Sequence, residues 1–216
     1  MTFLAFQELV SKIEKIGLLG EKAHAEMSPL FRKENLKKVN WQNLTPRKAG
    51  VMVLFYPNKN QETNLVLILR KTYKGVHSAQ VGFPGGKAEL FDKDIKDTAL
   101  RETYEEVGVL PQKVEIIRPL TEVYIPPSNF LMHPFLGYAK NPLNFIRQEE
   151  EVEAILEVKL QDFLATSSLI TQKLSTSYAQ NVEVPAFLLQ NQIVWGATGM
   201  VLNEVKHLVK AAMLEL

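Results

Sequence analysis

Residues 94–107 constrain the fold more than any other stretch. On a helix at about 100° per residue, Ala99, Leu100, Thr103 and Val107 share one side, and Glu102, Glu105 and Glu106 converge on the other. Glu102 and Glu106 stand one turn apart, and Glu105 follows Glu102 by three positions. The segment has an acidic start, and Gly108 follows it as a C-terminal stop. Its small, apolar side suits packing on a sheet. Like charges at this spacing destabilise a bare helix by about 0.2–0.5 kcal/mol per pair. A helix carries them more easily when cations neutralise the cluster. Oxygen ligands of this kind suit Mg²⁺ or Mn²⁺. A merely solvated acidic face is the other reading of the same residues.

Strands for the sheet are legible nearby. Gly50–Tyr56 and Asn64–Leu69 are β-rich runs joined by turn-forming residues, so they predict a hairpin. Val81–Gly86 reads as a short strand entering a Pro-Gly-Gly turn. Further β-like runs cover 114–124, 133–138, 151–158 and 182–190 continuing into 192–195, and helical spacing returns over 197–214. Residues 3–16 carry an apolar stripe of Phe6, Leu9, Val10 and Ile13, read as packing or a homodimer contact. Residues 27–49 are polar and irregular, with Pro29 and Pro46 as breakers. The division expected is 1–44 as helix and connecting arm and 45–216 as the main domain. Without βαβ alternation the class is α+β.

The balance of 25 basic and 24 acidic residues gives +1, which speaks against nucleic acid as a partner. No apolar run is long enough for a membrane span. The N-terminus lacks a signal-peptide pattern, and there is no cysteine, hence no thiolate metal site. A cytoplasmic protein without membrane association is expected. Locally the charge is segregated. Seven acids against three bases lie between Glu89 and Glu106, a net −4, and the basic residues Arg70, Lys71 and Lys74 precede them.

The run Arg101, Glu102, Glu105, Glu106, Gly108, Val109, preceded by the 82–86 turn, resembles the second half of the Nudix hydrolase box. The first half departs. Lys93 stands where glutamate is usual, Asp92 and Asp94 straddle it, and the loop is one residue longer. That longer loop is similar to the coenzyme A diphosphatase branch, as are His77, Gln80, Phe83, Pro84, Gly85 and Gly86, the segment Thr98–Gly108, and Trp195-Gly-Ala-Thr.

The resemblance implies a Nudix fold, an α/β/α sandwich around a mixed sheet, here with an N-terminal helical extension. It implies metal-dependent hydrolysis of a coenzyme A-like diphosphate. Glu102, Glu105 and Glu106, with a Gly85 or Gly86 carbonyl, are the implied Mg²⁺ or Mn²⁺ ligands. Arg101 is read either as a charge partner of these carboxylates or as a surface ion pair. Glu102, Glu105 and Glu151 are the catalytic candidates, with the general base open between Glu102 and the acidic run at Glu149–Glu153. Arg70, Lys71, Lys74, His77 and Gln80 are substrate-binding candidates. Other diphosphates (NADH, ADP-ribose, dinucleoside polyphosphates) and a non-cleaving nucleotide-binding module are the alternatives. Trp195 is read as core and His133 as structural.

Overall fold

The computed structural model describes residues 1–29, 44–72, 79–176 and 179–214. Strand alternation dictates its centre. β1 (Arg47–Pro57) and β2 (Thr63–Arg70) form the expected antiparallel hairpin, with Phe55 opposite Leu65. Val51, Val53 and Phe55 join Leu65 and Leu67 in one apolar cluster. Met52, Leu54 and Tyr56 join Val66 and Ile68 in another. The period of two therefore makes both faces apolar, and both must be covered.

β7 (Phe130–Tyr138) runs parallel to β1. The remaining partners are antiparallel: β3 (Val81–Gly82) and β8 (Val152–Lys159) on β2, β4 (Gly85–Lys87) on β1, and β5 (Glu115–Pro119) and β6 (Val123–Ile125) on β7. One parallel pair among antiparallel ones makes the sheet mixed. α3 (Ile95–Val107) covers one face through Ala99 and Val107. α1 (Phe3–Lys15) and α5 (Gly196–Leu214) cover the other, through Phe6, Leu9 and Ile13 and through Val201, Val205 and Val209. This is the α/β/α arrangement.

The N-terminal stripe is buried within the chain itself. The Phe6 ring lies 4.8 Å from that of Phe55. The short α2 (Glu21–Glu26) rests on α5, where the Asn203 amide donates to the Ala23 carbonyl at 2.9 Å. Arg118 donates to the carbonyls of Ile13, Glu14 and Ile16 and so closes the end of α1.

α3 sits where its sequence places it. The Asp94 carboxylate accepts from Asp97 N–H at 2.8 Å, and Gly108 ends the helix at φ 75°. Thr103 is buried on the sheet side, its hydroxyl donated to the Ala99 carbonyl at 2.6 Å. The helix approaches β1 so closely that a Cβ on Gly50 would stand 2.4 Å from the Ile95 carbonyl oxygen.

Three features differ from the sequence reading. The 114–124 run breaks after Pro119, because Thr121 turns to donate its hydroxyl to the buried Glu204 of α5 at 2.6 Å. A second antiparallel sheet of β9 (Leu169–Thr176), β10 (Ala179–Leu189) and β11 (Gln192–Val194) follows the short α4 (Leu160–Leu164). Trp195, expected in the core, is only half-buried at the start of α5.

Candidate active site

The turn from β3 to β4 passes beside α3, and its backbone meets the helix's carboxylates. Gly85 N–H donates to Glu106 Oε2 at 2.7 Å. The Arg70 guanidinium, at the end of β2, donates to the Gly85 carbonyl at 2.7 Å and lies 3.4 Å from Glu106 Oε1. Glu106 is only 2% exposed. One turn earlier, Glu102 lies against Gly86, where a Cβ would come within 2.4 Å of Glu102 Oε2. Only glycine lets strand and carboxylate approach this closely.

Arg101 gathers the other acids. It donates to Asp92 from Nε at 2.8 Å and Nη2 at 3.1 Å, and from Nη1 to Glu102 at 2.9 Å and Glu105 at 2.8 Å. Asp92 is itself fixed, accepting from Thr98 Oγ1 at 2.7 Å and Glu89 N–H at 2.9 Å. The Arg101 hydrogen bonds hold the Asp92 carboxyl well below the usual carboxylate range, and Asp92 in turn raises Arg101. Of the two readings of Arg101, the geometry is that of the charge partner. Asp92, left outside the candidate set by sequence, is the residue that anchors it; Asp94 caps the helix instead. The only signal for Asp92 was its nearness to the position where the box expects glutamate.

Burial pushes the Glu106 carboxyl up to about 7, against the opposing pull of Arg70 and Gly85 N–H; the charges of Glu102 and Glu151 add to the rise. Burial also raises Glu102, with Arg101 opposing and Glu105 and Glu151 adding. Glu151 thus belongs to the same electrostatic unit. It precedes β8 beside the end of β2, where its carbonyl accepts from Lys71 N–H at 2.8 Å. Just upstream, Gln148 N–H donates to the Glu106 carbonyl at 3.1 Å and Ile146 N–H to the Val107 carbonyl at 3.0 Å, docking this loop on the end of α3.

The structure therefore brings Arg70, Gly85, Gly86, Glu102, Glu106 and Glu151 together. Glu105 is half-exposed on the outer side of Arg101. Arg70 is turned inward, onto the glycine turn. Lys71 and Gln80 lie at the mouth of the segment that leaves β2: Arg70 N–H donates to the Gln80 carbonyl at 3.0 Å. Lys74 and His77 lie outside the described residues. Glu149 and Glu153 are exposed. His133 pairs with Glu122 at 2.8 Å, a structural contact as read from sequence.

Among the described residues, no three acidic or histidine side chains are gathered into a ready cation site. Arg101 holds Glu102 and Glu105, while Arg70 holds Glu106. The donor chemistry nevertheless fits a hard divalent cation. All the donors are oxygens, and burial, which raises the Glu106 carboxyl, leaves its ionised form poorly solvated and so better served by a cation.

Residues 46–176, more than half the chain, match the NUDIX domain family. Nudix hydrolase 15, mitochondrial, of Arabidopsis thaliana is 34% identical over 121 residues, 55% of this chain and 42% of that protein. An uncharacterized Nudix hydrolase NudL of Enterobacter sp. is 30% identical over 78% of this chain and 85% of its own length. The NudL of Photorhabdus laumondii is 32% identical over 68% and 77%. Among solved structures, a MutT/nudix family protein from Enterococcus faecalis superposes with a TM-score of 0.51 at 18% identity, covering 90% of this chain and 76% of that one. Nudix hydrolase RenU from M. smegmatis gives 0.51 at 13% identity, covering 79% and 89%. Both likenesses concern the fold. No helix among the described residues is long and apolar enough to cross a membrane.

Proposed function

Because the chain belongs to the Nudix family and is a diphosphatase of that family, we propose that its substrate is coenzyme A or an acyl-coenzyme A. Water would attack one phosphorus of the diphosphate, and the bridging P–O bond would break. The products would be 3′,5′-ADP and 4′-phosphopantetheine or its acyl form. The observation that supports this reading is that two stretches similar to the coenzyme A diphosphatase branch, Phe83–Gly86 and Thr98–Gly108, meet in space through Gly85 and Glu106. The end of β2 and the glycine turn touch the acidic helix through the Arg70–Gly85–Glu106 contacts.

Glu102 and Glu106, with a carbonyl of the 85–86 turn, are the residues that would hold Mg²⁺ or Mn²⁺, with Glu105 next to them. The cation would neutralise the diphosphate and lower the pKa of the attacking water. Arg101, anchored by Asp92, fixes the rotamers of Glu102 and Glu105. Arg70 fixes Glu106 and the Gly85 carbonyl. Glu151 is the proposed proton acceptor: it is exposed to entering water, and its charge reaches both Glu102 and Glu106. Lys71, Lys74, His77 and Gln80 are proposed to face the remaining phosphates, including the 3′-phosphate. The proposed setting is the cytoplasm, and 45–216 the catalytic unit.

The test is a substrate panel with Mg²⁺ or Mn²⁺: coenzyme A, acetyl-coenzyme A, NADH, ADP-ribose and diadenosine polyphosphates. Cleavage of coenzyme A to the two named products is expected. Coenzyme A left intact while another member is cleaved overturns the substrate assignment.

A further inference from the structure

Leu90 and Phe91, on the loop between β4 and α3, are held out in water beside the carboxylates. Leu90 is 106% exposed and Phe91 73% exposed. The loop that carries them is nonetheless pinned. Glu89 N–H donates to Asp92 at 2.9 Å, and Asp92 is bound to Thr98 at 2.7 Å and to Arg101 at 2.8 Å. The backbone on either side is therefore fixed, so the apolar pair is presented rather than loosely placed.

Their position is set by Arg101. Its Cζ lies 5.4 Å from the centre of the Phe91 ring. Its Nη1 touches Glu102 at 2.9 Å and Glu105 at 2.8 Å. With a guanidinium C–N bond of ~1.3 Å, the Phe91 ring is no further than ~10 Å from the Glu102 carboxylate. One face of the ring is toward Arg101, and the rest is open.

That distance selects the part of the substrate within reach. In coenzyme A, the first apolar group beyond the diphosphate is the branched, dimethyl-bearing carbon of the pantoyl unit, two bonds past the ester oxygen. The thioester end lies more than ten bonds away, about 15 Å when extended. Resting on the coenzyme A reading above, we infer that Leu90 and Phe91 form the subsite for this branched apolar segment, and that they discriminate it from a polar ribose on the same diphosphate. A protein partner fits the patch poorly. Lys87, Glu89, Lys93, Asp94 and Lys96 around it are charged and exposed. Two side chains ringed by charge fall far short of the about 800 Å² per side of a stable interface.

The experiment compares dephospho-coenzyme A with ADP-ribose, which share adenosine diphosphate and differ only in the second arm. KM and kcat are measured for dephospho-coenzyme A, and ADP-ribose is titrated as a competitor. In the Leu90→Ser/Phe91→Ser double variant, KM for dephospho-coenzyme A rises about tenfold, the loss expected when two or so buried methyl groups go unmatched. The inhibition constant of ADP-ribose stays within about twofold. Phe91→Leu, which keeps an apolar surface, restores most of the wild-type KM. Leu90→Ser alone, at a site with no burial to lose, gives a smaller shift in the same direction. An unchanged KM, or equal shifts for both compounds, overturns the inference while the substrate assignment stands. A wild-type protein that leaves coenzyme A and its dephospho form intact overturns the substrate assignment, and the inference with it.

Discussion

Glu106→Gln tests the electrostatic account of the site through stability, independently of turnover. In the folded protein burial raises the Glu106 carboxyl from 4.5 to about 7. A shift of that size, at about 1.4 kcal/mol per unit, is worth about 3 kcal/mol. The folded state holds this proton more tightly than the unfolded state does. The contribution is therefore fully favourable below pH 4.5 and is lost as pH rises through about 7. Ionised Glu106 thus leaves the metal-free fold about 3 kcal/mol weaker at pH 8 than it would be with a neutral group there. Glutamine supplies that neutral group, and its amide oxygen can still accept from Gly85 N–H. Denaturant unfolding in EDTA, at pH 5 and pH 8, reads the effect directly. The variant should match wild type at pH 5 and exceed it by about 3 kcal/mol at pH 8. Glu102, raised in the same direction, titrates in both proteins and largely drops out of the difference. Equal stability of the two proteins at pH 8 would refute the claim that Glu106 is a carboxylate desolvated by burial.

Further outcomes follow from the same geometry. At pH 8, Mg²⁺ or Mn²⁺ at about 100 times its dissociation constant should stabilise wild type by about 2.7 kcal/mol, and should do far less for Glu106→Gln; calorimetry checks both. Glu106→Gln should also lower kcat by orders of magnitude. Glu151→Gln should lower kcat by about 10²–10⁴ with little change in metal affinity, whereas a fall of only a few-fold would return the proton-acceptor role to Glu102. Asp92→Asn should weaken Arg101's hold on Glu102 and Glu105 and lower kcat more than it changes KM, as steady-state kinetics would show. Phe6→Ala removes a fully buried ring from the sheet face and should cost about 3–5 kcal/mol in denaturant unfolding.

What the sequence disclosed was local. α3 was legible with both ends because its period, its Asp94 cap and its Gly108 stop all lie within one short stretch. The β1–β2 hairpin was legible for the same reason: two alternating runs share one turn. What stayed hidden depended on distant partners. The break after β5 comes from Glu204, 83 residues away along the chain. β9 escaped because its apolar residues Leu169, Ile170 and Leu174 are broken up by Thr171, Gln172 and Lys173, and none of these six is fully buried, so the stretch carries no core signal to read. The contacts of Arg70 were not legible because its partners, Gly85 and Glu106, are brought to it only when β3 and β4 pair with β2 and β1.

The near-zero net charge conceals how the site is balanced. Asp92, Glu102, Glu105, Glu106 and Glu151 are five acids around two guanidinium groups, those of Arg70 and Arg101. With every acid ionised, this unit carries −3. Both arginines are already committed to carboxylates. Neither is free to neutralise a diphosphate without releasing a glutamate, and an exposed ion pair with the substrate would be weaker than the shielded one it replaced. The site's own residues would therefore repel the substrate they are proposed to cleave. Only added positive charge reverses that sign, and the shielded oxygens of partly buried Glu102 and buried Glu106 are where it lowers the energy most. On this account the arginines set the geometry and divalent cations set the charge. Recognition of the substrate's arms is then left to other residues, and Leu90 and Phe91, exposed beside the carboxylates, are the ones proposed for it.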